Sequence, residues 1–259
     1  MPEADAKGAV QASFGANAEK YVTSPTHARG NDLDLVVPWL DPKPDWIALD
    51  VATGAGHVGK ALSPQVATVV AADLTVPMLA TARRFLDGSG CRNVVYVAAD
   101  AEALPFLDGA FDCVTCRIAA HHFPEPRRFV AEAARVLKPG GRMVLIDNVA
   151  PEDPSLATFF NELERMRDTS HVRAASPSEW RAWLAAAGLV ERNAQMGRKK
   201  HDFPDWVGRT TTSPEQRAAV EAFALVASAA ARQHFAIEVA GGRVASWTAD
   251  DLTLLAEKA

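Results

Sequence analysis

Residues 47–59, I-A-L-D-V-A-T-G-A-G-H-V-G, constrain this chain more than any other stretch. An apolar run closes on Asp50 and Val51 and passes into a turn built on Gly54 and Gly56. Ile47–Val51 has the length and branching of a buried parallel strand. The glycines let the backbone turn sharply and approach a ligand that a Cβ would exclude. The small apolar residues after the turn, 58–62, suit the first turns of a helix. Strand, glycine turn and helix form the nucleotide-binding corner of a doubly wound α/β sheet, whose ligand lies outside the carboxyl ends of the strands.

A glycine turn alone is weak evidence, because most loop glycines serve only the turn. Here the pattern of an apolar strand with a polar end recurs. Residues 67–72 lead to Asp73, where a carboxylate can accept both hydroxyls of a ribose. Residues 94–99 lead to Asp100, and residues 111–116 follow the stretch F-L-D-G-A-F-D. The helix 126–137 stops at Lys138-Pro139-Gly140-Gly141, and a fifth strand, 142–147, brings Asp147 and Asn148 to the same edge. Residues 189–195 read as a sixth strand and 252–257 as the last.

The chain has 259 residues, 48% of them apolar, enough for one large core. Its net charge of −5 argues against a partner rich in phosphate, such as nucleic acid. No window reaches the length of a membrane span, and the N-terminus M-P-E-A-D-A-K-G has no signal-peptide pattern, so a cytoplasmic protein with no membrane contact is expected. Cys113 and Cys116 spell C-x-x-C. Residues three apart on a strand face opposite ways, so they read as buried thiols, not a metal or redox pair. No metal is expected.

The motifs D-V-A-T-G-A-G, A-D-L-T-V-P-M-L, A-D-A-E-A-L-P-F-L-D-G-A-F-D and R-V-L-K-P-G-G together resemble the class I S-adenosylmethionine-dependent methyltransferases. The chain is most similar to their quinone-biosynthesis C-methyltransferase type, in which alanine also replaces the first glycine, here Ala52. The resemblance implies an α/β fold: a Rossmann-like doubly wound sheet of seven strands, mostly parallel with an antiparallel last strand, plus helical cap insertions. It implies S-adenosylmethionine as cofactor. Asp50, Ala52, Gly54 and Gly56 would then lie by the methionine end and Asp73 on the ribose. Leu74 and Met78 would flank the adenine, with Asp100 and the Ala101 backbone at its amine. A segment covering the cofactor contains Tyr21, Ser24, His27 and Arg29, of which Tyr21, His27 and Arg29 are carried forward as cofactor contacts. Arg117, at a strand end, would meet the cofactor carboxylate or an acidic side chain.

His121 and His122 follow the fourth strand and are the candidates for a general base, since imidazole titrates near neutrality. The alternative is that they only shape the loop. Within one domain, 1–259, the reading assigns 1–37 to a cofactor-covering segment, with residues 1–12 frayed and Asp32 capping a helix through Trp39. It assigns 38–150 to the cofactor core, and 151–178 and 203–248 to substrate-cap insertions. Arg165, Arg167, Asp168, His171 and Arg173 are either an anion site or a solvated helix end. Residues 213–233 read as one alanine-rich helix, and 235–239 with 243–247 as a hairpin. The function expected is C- or O-methylation of a small or medium organic acceptor, with a homodimer left open. The alternatives are a non-catalytic cofactor-binding protein and a nicotinamide-dependent oxidoreductase. Against the latter, no Tyr-x-x-x-Lys pair is present.

Overall fold

The computed structural model describes residues 3–23 and 32–259. Its first strands form where the apolar runs predicted them: β1 (Ile47–Val51), β2 (Thr68–Asp73), β3 (Val94–Ala98) and β4 (Phe111–Arg117). They are joined by β5 (Leu137–Asn148), β6 (Leu189–Asp202), a short β7 (Glu238–Ala240) and β8 (Arg243–Lys258). The sheet order is β3-β2-β1-β4-β5-β8-β6, with β7 on β8. Pairing is parallel from β3 to β5 and antiparallel for β8 against both β5 and β6. This is the doubly wound sheet with an antiparallel late strand that the resemblance implied.

Helices cover both faces. On one side α2 (Leu33–Leu40) and α3 (His57–Leu62) pack Val36, Leu40, Val58 and Leu62 against Ala48, Val69 and Cys113. α4 (Val76–Gly88) follows β2. On the other side α5 (Pro126–Val136) and α7 (Pro177–Ala186) bring Phe129, Val130, Trp180 and Leu184 onto Leu49, Val114 and Cys116. Cys113 and Cys116 thus lie in cores on opposite sheet faces, and burial lifts the Cys113 thiol to about 12.

A second core stands beyond the carboxyl edge of the sheet. It joins α6 (Pro154–Arg167), α8 (Phe203–Gly208), α9 (Pro214–Leu225) and α10 (Ala229–His234) around Phe160, Trp206, Phe235 and Trp247. Three readings change here. The alanine-rich segment is two helices, because Ser228 breaks it by accepting the Ala231 N–H as a new N-cap. The predicted strands 243–247 and 252–257 are one strand, and β6 runs on to Asp202 to pair with it. Asp250 and Asp251 look like a break in sequence, yet both are buried. Asp250 pairs with Arg198 and His234, and Asp251 with Lys199. Gly197, opposite Asp251, makes room for that carboxylate: a Cβ there would overlap Asp251 Oδ1.

The N-terminal region also differs from its reading. Residues from Glu3 are helical, in α1 (Glu3–Thr23), and α1 lies on the β2–α4 corner, with Gln11 Nε2 donating to Leu74 O at 3.1 Å. Asp32 precedes α2 but makes no side-chain cap; its carboxylate is drawn to Arg117 instead.

Ala52 sits at φ +53°, a left-handed backbone that costs a residue with a Cβ. Ala52→Gly should therefore stabilise the fold by about 0.5–1 kcal/mol, read as a rise in the urea midpoint at unchanged slope. A lower midpoint would show that the Ala52 methyl contributes more by packing than the backbone loses.

Candidate functional site

The glycine turn is tied to the sheet by two buried carboxylates. Asp50 accepts the Thr53 hydroxyl at 2.6 Å and the Thr115 hydroxyl at 2.8 Å, joining the turn to β4. Burial raises its pKa to about 6 against those two donors. Asp73, at the end of β2, accepts the backbone N–H of Gly54 at 2.9 Å on one oxygen and that of Thr75 at 2.8 Å on the other. Burial raises this carboxyl too, and the two N–H groups oppose the rise. Each oxygen keeps a lone pair, so Asp73 can still accept the paired hydroxyls of a ribose.

These residues line a cleft of about 1000 Å³, open solvent included, at the carboxyl edge of β1, β2 and β4. That is room for a nucleotide-sized ligand. Ala52, Gly54, Leu74 and Met78 are on its walls, as are Asp100, Ala101 and Arg117. Gly56 is not among its lining residues. Its N–H goes to Thr53 O, and a Cβ there would lie 2.9 Å from Leu86 Cδ1, so its small size serves helix packing. His122 lines the cleft and His121 does not. The Tyr21 side chain, Ser24, His27 and Arg29 lie outside the described residues.

At the Asp100 end the structure shows a residue the sequence reading missed. Lys7 of α1 reaches into the cleft and places Nζ 2.7 Å from Asp100 Oδ2 and 2.8 Å from Glu102 Oε2. The two carboxylates therefore already hold an N–H donor where an adenine amine is expected. Nothing in the spacing around Lys7 pairs it with residues so far along the chain. Glu102 lies inside a quoted motif, and its signal was its place beside Asp100.

Arg117, at the other end, makes a buried two-bond pair with Asp32, Nε to Oδ2 at 2.9 Å and Nη2 to Oδ1 at 3.1 Å. Burial works against the charge of Asp32, but Arg117 and then Lys199 hold its pKa below the usual value. Of the two partners foreseen for Arg117, the structure shows the acidic side chain. The cations at 165–173 are likewise matched: Arg165 with Glu162, Arg167 with Glu164, Arg173 with Glu179. Arg167 also stacks over Trp206 at 4.5 Å. The segment reads as a paired helix end.

The histidines occupy a 3-10 turn after β4, Ala120–His122. Asp147, at the end of β5, accepts the His121 backbone N–H at 2.9 Å and faces its Nδ1 at 2.6 Å. Burial disfavours charge on His121, yet the Asp147 carboxylate raises its pKa above the ordinary value. The segment after α6 closes over this turn, with Val172 and Arg173 N–H both on His121 O at 3.0 Å.

The cleft thus presents a carboxylate for a sugar diol, carboxylates for an amine and a glycine corner, a set of acceptors that fits the hydroxyl and amine hydrogens of S-adenosylmethionine. Comparisons with known proteins agree. Residues 49–145 match the methyltransferase domain family. The chain is 40% identical over 224 residues to the uncharacterized methyltransferase YcgJ of Bacillus subtilis, covering 86% of this chain and 88% of that protein. The YcgJ crystal structure superposes with a TM-score of 0.86 over 88% of this chain and 98% of the other, at 37% identity. The ubiquinone/menaquinone biosynthesis C-methyltransferase UbiE of Ruegeria sp. is 34% identical over 180 residues, 64% of this chain and 71% of that protein. A geranyl diphosphate C-methyltransferase from Streptomyces coelicolor, crystallised with S-adenosyl-L-homocysteine, shares the fold at TM-score 0.65 and 14% identity, over 93% of this chain and 83% of the other.

This chain belongs to the S-adenosylmethionine-dependent methyltransferases. It is an enzyme with a Rossmann-like fold and S-adenosylmethionine as cofactor, so the nicotinamide and non-catalytic alternatives fall away. Among its described residues no helix is long and apolar enough to cross a membrane.

The cap core holds a pH-sensitive group. His201 lies beside Trp247 at 5.8 Å, and burial, then the nearby Arg209, Arg167 and Lys199, push it down to about 4. A histidine neutral when folded and charged when unfolded contributes stability above about pH 6.5 and loses it as pH falls toward the folded value. His201→Gln removes that dependence. The stability of the wild type minus that of the variant should shrink between about pH 6.5 and 4 in parallel thermal melts; a pH-independent difference would place His201 in a more exposed setting.

Proposed function

We propose that this methyltransferase acts on a small or medium organic acceptor, transferring the methyl group to carbon or oxygen beneath its cap. The observation that carries this reading is that His122 lines the same cleft as Asp100, Asp73 and Gly54, and that the backbone of Val172 and Arg173 closes over its turn. A covered end suits a small acceptor better than a polymer. The named activities of the UbiE relative and of the geranyl diphosphate enzyme support the same class.

In this reading residues 38–150 hold the cofactor, residues 1–37 cover it, and 151–178 with 203–248 cap the acceptor. Asp73 takes the ribose hydroxyls, and Asp100 takes the adenine amine once Lys7 yields it, with the Ala101 backbone alongside. Leu74 and Met78 flank the ring, and Asp50, Ala52 and Gly54 shape the methionine end. Tyr21, His27 and Arg29 belong to the covering segment. When bound, S-adenosylmethionine supplies an electrophilic methyl group on a good leaving group. The chain then has only to align the acceptor, exclude water and receive a proton. His122, which lines the cleft, is the residue placed for that last task, and His121 stands behind it.

Calorimetric titration of the wild type should give micromolar binding of S-adenosylmethionine and S-adenosylhomocysteine and none of NADH. Asp73→Ala should weaken both by at least tenfold, and unchanged affinity would remove Asp73 from the ribose site. Incubation with methyl-labelled S-adenosylmethionine and either a bacterial metabolite extract or total RNA and protein tests the acceptor. Label is expected in the small-molecule fraction. Label confined to RNA or protein would sink the proposal.

A further inference from the structure

Two contacts decide which nitrogen of His122 carries the proton. Nδ1 lies 2.9 Å from the backbone carbonyl oxygen of Ser170 and 3.3 Å from its Oγ. A carbonyl oxygen can only accept. The single hydroxyl hydrogen of Ser170 is committed to Asp168 Oδ1 at 2.5 Å. Both serine oxygens therefore require a hydrogen on Nδ1, and Nε2 keeps its lone pair. Among the described residues that nitrogen has no hydrogen-bond partner, and it is not among the enclosed polar atoms left without one. Since His122 lines the cleft, Nε2 opens to it.

The brace comes from the cap, not from the sheet. Asp168 Oδ1 also accepts the Ser170 backbone N–H at 2.9 Å, so one carboxylate oxygen fixes both the hydroxyl and the peptide of the serine. Phe14 of α1 meets the His122 ring edge to face at 4.9 Å, and His121 lies against it at 4.1 Å. The ring is held on three sides with its unprotonated nitrogen outward.

We propose that Asp168 and Ser170 are positioning residues that hold His122 as a proton acceptor, with its bare Nε2 turned toward the hydroxyl hydrogen of the methyl acceptor. This rests on reading the cleft as the methyl-transfer site. The hydroxyl proton passes to Nε2. The oxygen's freed electron pair forms the new bond to the methyl carbon, and the electron pair of the broken S–C bond stays on sulfur. For transfer to carbon the pair is delivered through the conjugated carbon, whose own hydrogen is then lost to water.

The charged groups around His122 agree with an uncharged ring. Burial and His121 on the same turn push it down to about 4, while Asp168 from the cap and Asp147 from β5 oppose the shift. His171, on the same cap segment, is itself held well below its ordinary value. His122 is thus uncharged at neutral pH and ready to accept.

The test is nitrogen-15 NMR of histidine-labelled enzyme at pH 7, free and with S-adenosylhomocysteine, together with label transfer into the metabolite extract. His122 should show a protonated Nδ1 and a bare Nε2, the reverse of the tautomer that a free histidine side chain prefers. Asp168→Ala, which frees both the hydroxyl and the peptide of Ser170, should give mixed tautomers and about tenfold slower transfer. Ser170→Ala, which keeps the carbonyl on Nδ1, should give a smaller change in both, and S-adenosylhomocysteine affinity should stay within twofold of wild type in each. Labelled products should be methyl ethers or carbons next to a hydroxyl. A protonated Nε2 in the wild type, or an unchanged tautomer in both variants, overturns the brace. Labelled amines or carboxylate esters overturn the hydroxyl assignment. Cofactor binding without any transfer would instead count against the methyl-transfer reading of the cleft, and the NMR result would still decide the tautomer.

Discussion

The bond from the Gly54 N–H to Asp73 is the contact on which the cofactor edge depends. It joins the turn after β1 to the end of β2, so the two strand ends cannot drift apart without leaving a buried carboxylate short of a donor. Asp50 does the same between that turn and β4 through Thr53 and Thr115. Neutral hydroxyl and N–H donors oppose the rise in pKa that burial imposes on both carboxylates. Their remaining lone pairs are what a ligand rich in hydroxyl and amine hydrogens can use.

The second half of the chain solves a different problem. A cap must stand beyond the sheet edge without a sheet of its own beneath it, and the long antiparallel ribbon of β6 and β8 supplies the support. One face of the ribbon carries Trp247 into an aromatic core with Trp206 and Phe235. Its ionic pairs, Asp250 with Arg198 and Asp251 with Lys199, lie between that core and the sheet. Lys199 also approaches Asp32 at 3.5 Å, so the Asp32–Arg117 pair beside the cofactor cleft is electrostatically joined to the base of the cap. The segment after α6 reaches the cleft lining through the contact of Ser170 with His122.

Much of this was legible in the residues. β1 to β4 were readable from apolar runs, and their polar ends, Asp73 and Asp100, fall on the cleft. Ser176 and Glu179 form the capping box that the local sequence S-P-S-E spells. Gly56 shows the limit of such reading: a glycine admits close approach of something, but whether that is a ligand or Leu86 depends on where α4 packs. His121 and His122 could not be told apart in sequence. Adjacent residues on a tight turn point differently, and only the packed turn shows which one meets the cleft.

What the sequence by itself determined is the part of the protein encoded by near neighbours: strand periodicity, the glycine corner, helix caps, and hence the methyltransferase class. What only the tertiary structure decided is which distant charges and rings meet. Lys7 on Asp100, Asp32 on Arg117, Ser170 on His122, and the fusion of two short strands into β8 are all of this kind. The reason is physical. Local spacing governs which groups lie on one face of a single strand or helix, whereas these pairs form only when the whole chain has closed its loops and buried charge must find a partner.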